Sequence, residues 1–387
     1  MIKSKIFRRP KHIILFSLFA LLLYMGHQTG FISILSIFCL LVLLIIPLNR
    51  YIDILGFLLL AFTGCFTIMG LLGGFISSLS AAIAYFIPTI FFYCFGKYIV
   101  DILGSKDQMI VVLLAVVALY SCELYMSTIE SVISTGSVVN TSRLFYIDGD
   151  EGRKLTATLV GLGVSLGFIG LPMSILYKEK KIIRGIFIIV FLLSLITTIH
   201  LVNRTGLVIG VLTLVITLLY YYRTNTRQLL IALILSFVVY LLLQKFGVIN
   251  QEVFDAYAAR NEADVLTGGG RTERWSYALR QLFLSPFGWA ENSGKTEVFV
   301  HNMWLDIAKI TGIIPFILLC FSTLSSFNTL GKLIRIKRDV IVAMLLSLNV
   351  CFFCSCFVEP VYGGLHFFLY VMLWGVQKQY LVRFSRL

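Results

Sequence analysis

The chain has 387 residues, of which 59% are apolar and 13% are charged, and its mean hydropathy is +0.93. This composition excludes a water-soluble globular protein, because no soluble core of this size is so apolar, and is typical of a polytopic membrane protein. The formal net charge of +13 does not indicate a nucleic-acid partner, because the distribution of Lys and Arg along the chain matches a membrane topology.

Apolar runs of roughly 18 to 20 residues can cross the hydrocarbon layer as helices. Twelve candidates lie at 12–25, 31–48, 52–72, 74–96, 109–126, 155–177, 182–201, 205–222, 228–246, 303–323, 339–357 and 362–381. The sequence therefore predicts an all-α polytopic membrane protein with about twelve transmembrane helices. We interpret residues 1–387 as one integral membrane domain, with polar loops at 127–154 and 247–302.

The basic residues predict the orientation of these spans. With a cytoplasmic N-terminus, 21 of the 32 Lys and Arg residues fall in cytoplasmic segments, including 3–11, 178–184 and 332–338. The positive-inside rule then places both termini in the cytoplasm and the two polar loops on the outer face. The basic and then apolar start is interpreted as an uncleaved signal anchor, because no small-residue cleavage site follows it.

Two polar patterns favour structural interpretations over metal binding. Cys351, Cys354 and Cys356 lie within an apolar span with no opposing ligand cluster, which favours packing over a metal site, and the eight cysteines as a whole do not predict a disulfide framework. The acidic run at 148–151 resembles a calcium loop only loosely, because it lacks the alternating ligands and the terminal Glu. A solvated turn is the better interpretation.

The long loop at 247–302 has a net charge of −2, yet its basic residues are concentrated between 271 and 280. Apolar residues recur there at the spacing of an amphipathic helix, which predicts an interfacial helix that ends at 285–288. The residues that set this spacing are Trp275, Leu279, Leu282 and Phe283. Anchoring of the helix in the interface and binding of a ligand both remain open for this segment.

Polar residues from separate spans are expected at the same outer level. They are His200, Asn203, Arg204, His301, Asn302, Glu359 and His366. Arg204 lies in a loop too short to carry it far into water, so it needs an anionic partner, either Glu359 or a lipid headgroup. Asp306 and Lys309, at positions i and i+3, are expected to pair with each other.

Four short motifs follow one another in fixed places relative to the spans. They are Asn203-Arg204-Thr205-Gly206-Leu207, Gly270-Arg271 with Trp275, Pro286-Phe287-Gly288, and His301-Asn302-Met303-Trp304-Leu305 leading through Gly312. In this order they resemble the O-antigen polymerase and O-antigen ligase superfamily, over roughly residues 180–325. The resemblance implies a C-type glycosyltransferase-like fold in the bacterial inner (cytoplasmic) membrane, with the active site on the periplasmic face.

The same resemblance implies a substrate and a set of partners. The donor is an undecaprenyl-pyrophosphate-linked oligosaccharide drawn from the lipid bilayer, with no cofactor, no metal and no nucleic acid. A chain-length regulator and a flippase are candidate partners. Transfer of the glycan from the lipid pyrophosphate to a sugar hydroxyl needs a base for the hydroxyl proton and cations for the leaving pyrophosphate.

His301 is the candidate base, because it precedes the expected helix N-cap Asn302, and the positive end of that helix favours a neutral, proton-accepting imidazole. A histidine that only caps or hydrogen-bonds the loop remains the alternative. Arg204 and Arg271 are the candidate pyrophosphate ligands, since a guanidinium binds phosphate oxygens in bidentate fashion. Arg274 and Arg280 are weaker candidates, and the possible supporting residues are Asn302, His200 and Glu359.

Polymerase is favoured over ligase because the acidic outer loops would repel a phosphorylated lipopolysaccharide core. A lipid-linked oligosaccharide flippase or transporter is a further alternative, although such proteins usually carry charges near the bilayer midplane and often show inverted repeats. A non-catalytic scaffold would not explain why Arg and His residues converge from several loops.

Overall fold

A computed structural model of the chain describes residues 10–27, 31–103, 105–140, 144–147, 153–222, 271–289, 299–359 and 361–385, with the isolated residues 227, 230, 231, 234, 253, 255 and 256. These residues are almost entirely helical, with one short antiparallel β-hairpin. The acidic run at 148–151, the greater part of the predicted span 228–246 and most of the segment 247–270 lie outside the described residues.

The elements follow one another along the chain with short connections. They are α1 (Pro10–Tyr24), α2 (Phe31–Ile45), α3 (Leu48–Tyr51), α4 (Ile54–Leu72), α5 (Leu79–Ile102), α6 (Lys106–Thr135), β1 (Leu144–Ile147), β2 (Arg153–Thr156), α7 (Ala157–Ser165), α8 (Gly170–Leu176), α9 (Lys181–His200), α10 (Arg204–Tyr222), α11 (Arg271–Leu284), α12 (Met303–Thr311), α13 (Ile313–Ile336), α14 (Val340–Val358) and α15 (Leu365–Ser385). Short 3-10 helices at Met25–His27 and Leu166–Ile169 complete the set.

Among the described residues, eight helices are long and apolar enough to cross a membrane. They are α1 with its 3-10 extension, α4, α5, α6, α9, α10, α13 and α14. The chain is therefore a helical, polytopic membrane protein, as predicted. The total of twelve spans is not confirmed, because α2 and the stretch at 160–176 are shorter apolar helices and the span at 228–246 is largely undescribed.

The prediction of one continuous span at 303–323 is wrong. The chain breaks at Gly312, whose φ of 86° lies in the left-handed region that favours glycine. A Cβ at this position would collide with the carbonyl oxygen of Pro286. The apolar span is instead α13, which begins at Ile313, and α12 is a separate short helix in front of it.

The first polar loop also begins later than predicted. Helix α6 continues to Thr135, beyond the expected end at 126. Its extension is tied to the end of α9: the hydroxyls of Thr128 and Thr197 are 2.9 Å apart, and Ser131 contacts the ring of His200. These polar contacts, which an apolar count does not register, allow the helix to extend beyond its apolar part.

The chain divides into two compact units, one formed by residues 1–109, 266–336 and 352–387, and the other by residues 110–265 and 337–351. In the first unit α5 and α15 pack with their backbones in contact. A Cβ on Gly96 would collide with the carbonyl oxygen of Met372, and a Cβ on Gly375 with that of Tyr93. Small residues at these two positions therefore permit the close approach of the helices.

A polar network lies at one end of this helix pair. Lys97 Nζ is 2.9 Å from Asp53 Oδ2 and 2.8 Å from the carbonyl oxygen of Tyr51, and the Tyr93 hydroxyl donates to Asp53 Oδ1. Burial raises the pKa of the Asp53 carboxyl, but hydrogen bonds from Lys97 and Tyr93 and the Lys97 charge outweigh burial and hold that pKa below its ordinary value. The carboxylate also caps the first turn of α4 through the Gly56 amide.

Helix α15 connects this network to the turn that carries Glu359. The Arg383 guanidinium, near the end of α15, donates to the carbonyl oxygens of Val100 and Leu103. At 1.5 Å per residue the 21 residues of α15 span about 30 Å, which is the thickness of the hydrocarbon layer. Glu359 precedes the other end of α15, so the basic end and the Glu359 end of this helix are about one bilayer apart.

The second unit is held by hydroxyl contacts between helices. Tyr125 and Ser194 join α6 to α9 at 2.6 Å, and Thr217 of α10 lies 2.7 Å from Ser347 in the first part of α14. All eight cysteines of the chain are free, and Cys351 packs inside this unit with its sulfur 3.2 Å from the Thr213 hydroxyl.

Candidate functional site

The candidate site is built on the loop that precedes α12. Asn302 is the N-cap of that helix, as predicted, and its side-chain oxygen accepts the Leu305 amide at 3.2 Å. Its side-chain nitrogen donates to the carbonyl oxygen of Phe357 at 3.1 Å, which ties the loop to the end of α14. Asn302 therefore fixes the start of α12 and its position against α14.

His301 precedes this cap in an unusual backbone conformation. Its φ is 60°, in the left-handed region, where a residue with a side chain costs about 1–3 kcal/mol. The neighbouring residues compensate: the Val300 amide donates to Asp306 Oδ1 at 2.7 Å and the Asn302 amide to Asp306 Oδ2 at 3.0 Å. Such strain persists only where surrounding contacts impose it, and here Asp306 supplies them.

Three charged or titratable side chains meet beside this loop. His301 Nδ1 lies 3.1 Å from Glu359 Oε2, and Arg271 Nη2 lies 3.0 Å from Glu359 Oε1. The Glu359 side chain is 8% exposed, whereas those of Arg271 and His301 are 28% and 31% exposed. The carboxylate is thus buried between two partners that both reach solvent.

This arrangement determines which ring nitrogen of His301 can react. An ionised Glu359, held by Arg271, can only accept hydrogen bonds, so His301 Nδ1 carries the hydrogen that faces it. In the neutral imidazole Nε2 is then the nitrogen that can accept a proton. Glu359 therefore orients the ring and selects the tautomer in which Nε2 can act as a base.

Asp306 is the residue of this site that sequence reasoning assigned differently. Burial raises the pKa of its carboxyl, while the amides of Val300 and Asn302 and the charges of His301 and Lys309 oppose that shift. Its structural role is confirmed, with two backbone amides as its hydrogen-bond partners. An Asp four residues after an N-cap Asn was the available signal, since acidic side chains in a first turn often reach back to the cap.

Helix α11 covers the site from one side, and its extent agrees with the prediction. The indole of Trp275 donates to the carbonyl oxygen of Val300 at 3.1 Å, and its ring packs edge-on against Phe357. Ala278 and Leu282 are buried in the same cluster. The helix is therefore docked on protein along one face.

The other apolar residues of α11 lie outside that contact. Leu279 is 49% and Phe283 77% exposed, and Phe287 in the following turn is 73% exposed. The single apolar face predicted from the sequence is in fact two faces, one buried in protein and one exposed. An exposed apolar face fits the predicted interfacial position of the helix.

The three arginines of α11 are not equivalent. Arg271 contacts Glu359, and Arg274, one turn later, lies near the same face of the helix, because residues three apart are neighbours. Arg280 follows Arg271 by nine residues, or about 900° at roughly 100° per residue, and so lies on the opposite side. The predicted phosphate-binding roles of Arg274 and Arg280 remain predictions, with Arg274 better placed.

The turn after α11 explains why its motif recurs with Gly312. Gly288 has a φ of 105°, which favours glycine. The Ile313 amide donates to the carbonyl oxygen of Pro286, and the Trp289 amide to that of Lys309, both at 2.9 Å. The turn therefore closes onto the break between α12 and α13, and its role is to fix α11 against them.

Two predicted site residues belong to the second unit. His200 is fully buried, with Nδ1 2.9 Å from the Val138 carbonyl oxygen and Nε2 3.0 Å from the Ser131 hydroxyl. Both of its ring nitrogens thus hold the end of α6, which is a structural role. Arg204 begins α10 and is half-buried, after the buried Asn203 caps that helix through the Gly206 amide. Their roles in substrate binding remain predictions.

His366, expected at the same outer level, is buried in the first turn of α15, where its ring packs against Phe352 at 4.9 Å. Within the described ranges, no three His, Cys, Asp or Glu side chains are grouped so as to hold a metal ion. The site thus consists of an acid, a histidine and an arginine in hydrogen-bonded sequence.

No protein-family model and no curated protein matches this chain. The resemblance to the O-antigen polymerase and ligase superfamily therefore rests on the four motifs and their order.

Proposed function

We propose that this protein is a membrane glycosyltransferase that polymerises undecaprenyl-pyrophosphate-linked oligosaccharide repeat units of an O-antigen or a capsule. The observation that carries the proposal is the hydrogen-bonded row Arg271–Glu359–His301, half-exposed above apolar helices. This row supplies a cation, an orienting carboxylate and a proton acceptor within one site. Those are the groups that glycosyl transfer from a lipid pyrophosphate requires.

The proposed step is a single displacement at the anomeric carbon. The hydroxyl oxygen of the acceptor sugar forms the new bond to that carbon, and its proton passes to His301 Nε2. The bond between the anomeric carbon and the pyrophosphate oxygen breaks, and its electron pair leaves with the lipid pyrophosphate. Such a step inverts the configuration of the sugar.

Arg271 is placed to hold the leaving group. One of its terminal nitrogens is bound to Glu359, and the side chain is 28% exposed, so its other donors are the ones a substrate would meet. A guanidinium stays charged near lipid and binds phosphate oxygens in a planar fork. In this proposal Arg274 is a second ligand, and Arg204 acts from the second unit.

The polymerase is favoured over the ligase by the charge of the outer segment 247–302, which is −2 in net terms despite its arginines. A phosphorylated lipopolysaccharide core would be repelled by it, although loop charges are screened within about 10 Å. Both activities use the same donor and the same chemistry, so the site residues keep their roles under either one.

The experiment is a complementation series in a strain from which the gene is deleted. A polymerase deletion yields lipopolysaccharide capped with a single repeat unit, or loses long capsule chains, whereas a ligase deletion yields bare core and long chains on the lipid carrier. We expect the first pattern, and the second would overturn the choice of polymerase. His301→Ala should lower transfer about 100-fold or more, the usual contribution of a general base.

The arginines provide the graded arm of the same series. Arg271→Ala should impair transfer strongly and Arg271→Lys should rescue it poorly, because Lys lacks the fork. Arg280→Ala, on the far side of α11, is the matched control and should lose less. His27→Ala, a half-buried histidine outside the site, should transfer normally. Normal transfer by both His301→Ala and Arg271→Ala, at normal levels in the membrane, would refute the proposed site.

A further inference from the structure

The backbone on both sides of His301 is held by one side chain. Asp306 Oδ1 accepts the amide of Val300 at 2.7 Å, and Asp306 Oδ2 accepts the amide of Asn302 at 3.0 Å. Asp306 is 4% exposed and lies on the first turns of α12, so it is fixed by the helix that it helps to begin. Both oxygens of a single carboxylate thus bracket the residue proposed as the base.

The bracket matters because His301 is in the left-handed region, with a φ of 60°. An unconstrained histidine would leave this region and gain about 1–3 kcal/mol. Two amide hydrogen bonds to a carboxylate, at about 1.5–3 kcal/mol each, are sufficient to hold it there. A change of φ at this residue would swing its ring away from Glu359, since the side chain is attached at the same Cα.

We propose that Asp306 is a positioning residue that acts through His301, by holding the left-handed backbone that brings Nδ1 to Glu359. Asn302 makes the reciprocal contact, because its side chain accepts the Leu305 amide while its own amide is taken by Asp306. The pair resembles a capping box, in which two side chains satisfy each other's ends of a helix. Here the same device also fixes the residue in front of the helix.

The catalytic part of this inference rests on the proposed function, whereas the structural part does not. Asp306→Asn keeps the size of the side chain but replaces one acceptor with an NH2 group that would face a backbone N–H. One hydrogen bond is lost and two donors are opposed, so the loop around His301 should relax. The matched control is Asp339→Asn, which removes the carboxylate that caps α14 through the Val342 amide and has no part in the loop.

The first test measures the ring of His301 directly. Purified protein is treated with diethyl pyrocarbonate, and modification of the peptide that contains His301 is followed by mass spectrometry. We expect Asp306→Asn to accelerate the modification several-fold, because the ring is released from Glu359, and Asp339→Asn to leave it unchanged. An unchanged rate in Asp306→Asn would overturn the positioning role, whatever the protein's activity.

The second test is a double-mutant cycle in glycan transfer. If Asp306 acts through His301, Asp306→Asn should lower kcat about 10-fold or more with little change in KM for the lipid-linked donor, and should cause no further loss in a His301→Ala background. An equal loss in both backgrounds would make Asp306 a general stabiliser and refute its action through His301. Normal transfer by His301→Ala would instead refute the proposed function, while the chemical modification result would still stand.

Discussion

Glu359 offers the sharpest test of the site, because one atom can be exchanged without a change of shape. In Glu359→Gln the amide oxygen can still accept from Arg271, which now binds Oε1 at 3.0 Å. The amide nitrogen then takes the place of Oε2, 3.1 Å from His301 Nδ1, and it can only donate. The His301 ring must answer with the opposite tautomer, in which Nε2 carries the hydrogen and cannot accept a proton.

The expected magnitudes differ for stability and for activity. Glu359 makes two charge-assisted hydrogen bonds, each of about 1.5–3 kcal/mol, but the partners are 28% and 31% exposed and can regain water. We therefore expect Glu359→Ala to cost about 2–4 kcal/mol of folding free energy and Glu359→Gln about 1–2 kcal/mol, since Gln keeps both contacts in altered form. Loss of the reactive tautomer should lower transfer by about 100-fold to 10,000-fold.

The assay combines thermal unfolding in detergent with glycan transfer in membranes at matched protein levels. Glu273→Gln is the control, because it makes the same substitution at an exposed position in the first turn of α11, and both measurements should match wild type. Glu359→Gln should unfold within a few degrees of wild type and yet be nearly inactive. Transfer within a factor of three of wild type by a folded Glu359→Gln protein would refute the tautomer role of Glu359.

Two further predictions concern the fold. Gly312→Ala should lower the unfolding temperature by several degrees, because its φ is 86° and a Cβ would meet the Pro286 carbonyl, whereas Gly331→Ala in the open interior of α13 should be neutral or stabilising; equal unfolding temperatures for the two variants would contradict the break. The pKa of Asp53 is lowered in the folded state by Lys97 and its other donors against the effect of burial, so its ionised form should stabilise the protein above the ordinary Asp pKa of about 3.9, and this stability should be lost as the pH falls through the folded value. Asp53→Asn should therefore unfold earlier than wild type at pH 7 and approach it as the pH is lowered through about 4, and a difference independent of pH would contradict this reasoning.

The sequence predicts the helices well because membrane spans follow from long apolar runs, which need no knowledge of distant contacts. It also predicts the N-cap at Asn302, since an Asn in front of an apolar helical run is a local signal. The break at Gly312 was missed, although glycine followed by Pro315 was visible, because an apolar count takes no notice of backbone conformation. Its cause is the turn at Pro286, which lies far away in the sequence.

The site itself could be predicted only in part. His301 and Arg271 were selected from their local motifs, but nothing local indicates that Glu359 joins them, since it lies 58 and 88 residues away from them. Helix α11 shows the same limit from another side. A period of 3.6 residues identifies an apolar stripe but does not distinguish a face buried in protein, as at Leu282, from one left exposed, as at Phe283.

The most direct measurement is glycan transfer by the purified protein in liposomes that contain an undecaprenyl-pyrophosphate-linked repeat unit and no ion gradient. We expect the wild-type protein to form longer lipid-linked chains and to release one undecaprenyl pyrophosphate for each new linkage, and His301→Ala to do neither at a comparable rate. A wild-type protein that leaves the donor unchanged, or that only moves it across the bilayer, would contradict the assignment as a polymerase that acts through His301.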